Sequence, residues 1–291
     1  MIEWQTLLGD HPVTRPLREG RVSSPALRLD VADAAPAHPA FRRVVRDLEF
    51  DVAELPLMTF LMARSRGIPL RLLPVALFSR NPLRHLVCRA TFPFEPAELA
   101  GRRIGTRAYT TTLAIWMRAL LTEHFRANLD AIEWLTYQES AVPGIPDPES
   151  VHRDAAHADL LSLLFDGAID AAILDPVPLD PRLDQVVLDA DAEWNAWKNR
   201  TGADTIEHVV VVRESLAGDS RRMSELFRLF RDSGDLAEAE GAARPLIGLT
   251  PMRPSLEAAI AATRAQGLLA TPLTMDEVVT PEIASVCRRP G

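Results

Sequence analysis

Along most of this chain, short apolar runs alternate with longer stretches in which apolar residues return every three or four positions. Val209, Val210, Val211 and Val212 form an unbroken apolar run, which suits a strand covered on both faces. Shorter runs predict strands at residues 4–8, 26–31, 51–53, 69–75, 103–105, 132–135 and 171–174. Helical spacing predicts helices at 38–46, 57–66, 154–165, 193–200, 221–231 and 256–266. A further helix carries Leu113, Trp116, Met117, Leu120 and Leu121 on one face. Gly67, Gly167 and Gly267 stand where three of these helices should stop. Residues 142–151 hold three prolines and read as a loop.

Strands alternating with helices imply an α/β architecture with parallel sheets. Residues 86–90 and 207–213 read as two crossover strands joining two lobes. The first lobe would take residues 1–87 and 207–291, the second residues 88–206. Two such lobes imply an interlobe cleft, with ligands at the carboxyl ends of the strands.

Composition narrows the function classes. The chain has 291 residues, 47% hydrophobic and 25% charged, with a formal net charge of −8. It has no basic run, which argues against a nucleic-acid partner. No apolar run approaches the roughly 18 residues needed to span a bilayer, and residues 1–10 do not read as a signal peptide. The expectation is a cytoplasmic protein with no membrane partner. Cys88 and Cys287 lie far apart and show no metal-ligand spacing, nor do the histidines.

Candidate chemistry falls in a few places. Residues 103–112 read as a strand, a polar turn and a helix start. Thr110, Thr111 and Thr112 supply capping hydroxyls, and free backbone N–H groups with the helix dipole make such a turn an anion site. Arg107 and Tyr109 lie in the same turn. His85 and His208 each fall at a crossing and are the candidates for proton transfer near neutral pH. Arg80, Arg84 and Arg15 are candidates to grip a carboxylate by a planar fork. Asp175 ends a strand at DPVP, either facing the ligand or opening a turn. Glu207 either tunes His208 or is solvated. No P-loop, dinucleotide-binding glycine pattern, zinc-type His/Glu pair or G-x-S-x-G elbow occurs.

Five segments carry a family resemblance. GDHPVTRPLREGRV (9–22), FDVAELPLMTFL (50–61), FSRNPLRHLVCR (78–89), LAGRRIGTRAYTTTLAIWMRALL (99–121) and TGADTIEHVVVVR (201–213) resemble, in order, segments of the 4,5-dihydroxyphthalate decarboxylase-like family. That family is a cytoplasmic branch of the type-2 periplasmic-binding-protein fold. Pro12, Val13 and Thr14 stand where the family often has Asp-Arg-Thr, which leaves the substrate open.

The resemblance implies a two-lobed fold and a lyase that needs no cofactor. It would decarboxylate a hydroxylated aromatic carboxylate such as 4,5-dihydroxyphthalate. His85 or His208 would be the general acid, and Arg15, Arg80 and Arg84 would hold carboxylates. Arg107, Tyr109, Thr110, Thr111 and Asp175 are further substrate-binding candidates, with no metal ligand among them. A homo-oligomer is compatible with this reading. The alternatives are a non-catalytic binding protein for an anionic solute, and another lyase of this fold acting on a chorismate-derived acid.

Overall fold

The computed structural model describes residues 2–33, 40–156 and 158–287. The chain divides into two compact units, Met1–Ser79 with Ile206–Gly291, and Arg80–Thr205. The passage into the second unit thus comes at residues 79–80, ahead of the expected 87–88. The stretch expected to cross, residues 86–90, instead holds a strand inside the second unit.

The first unit is built on strands β1 (Ile2–Leu7), β2 (Leu27–Val31), β3 (Val52–Pro56) and β4 (Leu70–Ser79). Its sheet is completed by the strand Ile206–Arg213 from the far end of the chain. That late strand lies between β3 and β4 and runs antiparallel to both, while β1 pairs in parallel with β2 and β3. Val209 to Val212 are fully buried, as an unbroken valine run in a central strand requires. The helix Leu57–Ser65 packs on this sheet, and Phe60, Leu61 and Met62 are buried within it.

The second unit holds a sheet of six strands: β5 (Leu86–Arg89), β6 (Arg103–Thr106), β7 (Glu133–Thr136), β8 (Val151–Arg153), β9 (Ala171–Ile173) and β10 (Leu183–Gln185). Their order is β10-β5-β9-β6-β7-β8. β9, β6, β7 and β8 are parallel, and β5 is antiparallel to both β9 and β10. The strand Ile206–Arg213 of the first unit is β11. Trp116, Trp134 and Trp197 are among the largest fully buried side chains.

Several elements depart from the sequence expectation. The helix at 38–46 is seen as Phe41–Arg46; residues 38 and 39 lie outside the described residues. The helix expected at 154–165 shortens to Leu160–Phe165, because Asp159 is non-helical and its side chain caps the Ser162 amide. The helix expected at 221–231 runs on as Ser220–Ala239. Gly234 lies inside it, where a Cβ would meet Ile247 and Pro245 at 2.8 and 2.9 Å. The helix expected at 256–266 starts earlier, as Leu249–Ala265, with Pro254 inside it.

Candidate functional site

The sheet order of the first unit places β3 between β1 and β11. Glu54 comes from β3, His208 from β11, and Gly9 and His11 from the turn that follows β1. Glu54 is 1% exposed. His11 Nε2 lies 2.8 Å from Glu54 Oε1, and His208 Nδ1 hydrogen-bonds to the same oxygen. The Gly9 amide donates to Oε2 at 2.5 Å. A Cβ at Gly9 would lie 2.8 Å from both Glu54 Oε2 and His11 Nε2, so only glycine allows this approach.

The turn itself is tied down. Thr14 Oγ1 accepts the His11 amide at 3.0 Å and donates to the Gly9 carbonyl at 2.6 Å. Phe78 lies against both imidazoles, with ring centroids 4.9 Å from His11 and 4.6 Å from His208. Phe41 meets His208 edge-on at 5.2 Å.

Burial taken alone raises the pKa of Glu54. The hydrogen bonds from His11 and His208 outweigh it and hold the carboxyl well below the usual range. Glu54 is therefore an ionised carboxylate out of water, and a buried charge of this kind needs a positive partner. The ring nitrogens facing an acceptor-only oxygen carry the protons. His208 thus presents Nε2 on its far side, and His11 presents Nδ1. This is the arrangement in which a carboxylate orients an imidazole and stabilises its protonated form.

The other candidate histidine, His85, belongs to the second unit. It ends a 3₁₀ turn, Pro82–His85, and its Nδ1 lies 2.7 Å from the Leu174 carbonyl. Burial, the largest influence, pushes its pKa down. Asp175, which follows Leu174, pairs with Arg80 at 2.6 Å. Arg84 forks onto Asp191, with Nε 2.6 Å from Oδ1, and Asn81 reaches the same oxygen at 2.9 Å. Arg15 pairs with Asp10 at 2.9 Å on the exposed surface of the first unit. Each of these three arginines therefore has a carboxylate partner within its own unit. Glu207 is buried, which removes the solvated reading.

The strand–turn–helix of residues 103–123 forms as the spacing predicts. Thr111 caps the helix Thr112–Glu123, accepting the Ala114 amide at 3.2 Å, and Thr110 is buried beside it. Arg107 lends its carbonyl to the amides of Tyr137 and Gln138. One face of Tyr109 is covered by the Arg118 guanidinium, 3.7 Å from the ring centroid. Arg118 also donates to the Tyr109 carbonyl at 2.7 Å. Burial lowers Arg118 to about 10, so it stays cationic at neutral pH.

Glu54 and His11 escaped the sequence reading, although FDVAELPL gave a signal. An acidic residue inside an apolar strand is expensive to bury unless it is paired. His11 gave no comparable signal, since the partners of its ring lie 43 residues away and farther.

No family model matches the chain. The chain is 26% identical over 230 residues to a 4,5-dihydroxyphthalate decarboxylase of Comamonas testosteroni, covering 72% of this chain and 68% of that protein. It is 26% identical over 181 residues to a 4,5-dihydroxyphthalate decarboxylase of Pseudomonas putida, covering 57% and 67%. Among solved structures, the alkanesulfonate-binding protein of Xanthomonas axonopodis pv. citri, bound to MOPS, superposes with a TM-score of 0.60 at 13% identity, over 96% of this chain and 97% of that one. The periplasmic aliphatic sulphonate binding protein of Escherichia coli gives 0.52 at 14% identity, over 97% and 77%. The chain thus has the periplasmic-binding-protein fold and is similar, over most of its length, to 4,5-dihydroxyphthalate decarboxylases.

Proposed function

We propose that this protein is a lyase that decarboxylates a hydroxylated aromatic carboxylate, with His208 as the proton donor. The observation that carries the reading is the buried, ionised Glu54 holding His208 through Nδ1. A carboxylate so placed orients the ring and favours its charged form, leaving Nε2–H to donate. A ring hydroxyl on the substrate supplies the electrons. The carbon bearing the carboxylate takes the proton, the bond to that carboxylate breaks, carbon dioxide leaves and the ring regains aromaticity.

His85 suits the acid role less well. Its Nδ1 faces a carbonyl and its pKa is lowered. That describes a neutral ring, whose Nε2 accepts a proton instead of giving one. Arg15, in the unit that holds His208, would grip a substrate carboxylate only by exchanging its present partner, Asp10. The reading also places the protein in the cytoplasm.

The fold neighbours favour a second reading, since both are sulfonate-binding proteins by name: a binding protein for a small anion. Carbon dioxide release measured across a panel of hydroxylated aromatic acids separates the two. Release from at least one acid supports the lyase. Tight binding of such acids with no release supports the receptor and overturns the lyase.

A further inference from the structure

We infer that His11, Glu54 and His208 form a binding site for one divalent transition-metal cation, of the class of Zn²⁺ or Co²⁺. One ligand atom from each residue lies within 4.8 Å of the other two. Two imidazole nitrogens and one carboxylate oxygen are a donor set that suits zinc and its first-row neighbours. Bonds of about 2.0–2.2 Å require donors roughly 3–4 Å apart, so a small rotation of the Glu54 carboxylate opens the centre.

The surroundings are those of a held site. His208 and Glu54 are on neighbouring strands of one sheet, and the His11 turn is fixed by Thr14. The Gly9 amide holds Glu54 Oε2 from outside, which leaves Oε1 as the coordinating oxygen. A partner of that kind is what orients a metal-binding carboxylate. The His11 and His208 side chains are 21% and 14% exposed, so a cation has a route in. Three protein donors leave at least one coordination position open to water or a ligand.

The cation takes the place of the protons now shared between the rings and Glu54 Oε1, and binding releases them. Metal and proton therefore exclude each other at His208 Nδ1. The inference does not rest on the lyase reading, because it is read by binding alone with no substrate present. If both hold, the loaded protein turns over no substrate.

The test is calorimetric titration of the full chain, stripped with chelator, against ZnCl₂ at neutral pH. Visible absorption with CoCl₂ reports whether imidazole and carboxylate surround the ion. One site per chain is expected, with a dissociation constant of about 1 μM or below. His11→Ala and His208→Ala should each weaken binding at least about tenfold, while His152→Ala, on an exposed strand residue, should not change it. Glu54→Gln should abolish it, with circular dichroism confirming the fold; His11→Ala, at a partly exposed position, carries the test if that variant fails to fold. Wild-type binding no tighter than about 1 mM overturns the inference. So does binding that survives both histidine variants unchanged.

Discussion

At the scale of single residues, the molecule turns on Glu54. An ionised carboxylate that is 1% exposed is tolerable only with its three hydrogen-bond partners in place. Glu54→Gln removes the charge that holds both rings, and breaking a buried pair costs about 3–5 kcal/mol. Urea unfolding should show a loss of about that size, and a loss under about 0.5 kcal/mol would mean the cluster carries no net stabilisation. Gly9→Ala should disturb the same cluster, because its Cβ collides with Glu54 and His11. His85 offers a separate check. Its pKa is lowered from the ordinary 6.5, mainly by burial. The folded state therefore resists protonation, so the stability linked to this ring is full above the unfolded value near 6.5 and declines as pH falls below it. Histidine ring NMR should find His85 titrating below 6.5, and titration above it would contradict the buried, neutral ring.

At the scale of elements, local signals and long-range ones separate cleanly. The strand–turn–helix at 103–123 was readable because its cap and its apolar stripe lie within one short window. Thr111→Ala should lower stability by about 1 kcal/mol, the usual value of a hydroxyl cap, measured by thermal unfolding. Gly105→Ala should cost more, since its Cβ would sit 2.7 Å from Ile169 and 2.9 Å from Leu160. Equal effects at the two positions would show that the Leu160–Phe165 helix yields easily. The central strand β11 was legible from its valines, and His208 from its place on that strand. The short strands β8 and β10, with three residues each, were not legible, because partly exposed edge strands leave no strong pattern. The His11–Glu54–His208 cluster was invisible for a different reason. Its members come from two strands and the turn after a third, separated by 43 and 154 residues, and only the sheet order brings them together. The same fact explains why spacing along the sequence gave no hint of metal ligands.

At the scale of the whole molecule, each unit has its own sheet and buried core, and the sequence is acidic, with a formal net charge of −8. Arg228 beside Glu225 holds that carboxyl down to about 2, from an ordinary 4.5. The stabilisation is full above 4.5 and fades as pH falls toward 2. The pair is partly exposed, so it contributes no more than about 1 kcal/mol. Arg228→Ala should therefore lower the melting temperature at pH 7 and have little effect near pH 2, and an equal drop at both would assign the effect to packing. Proton delivery by His208 is tested most directly by His208→Asn, followed by both carbon dioxide release and ligand affinity. The variant should still bind the aromatic acid while releasing carbon dioxide at least about a hundredfold more slowly, the scale of a positioned acid. A variant that turns over at the wild-type rate would contradict it.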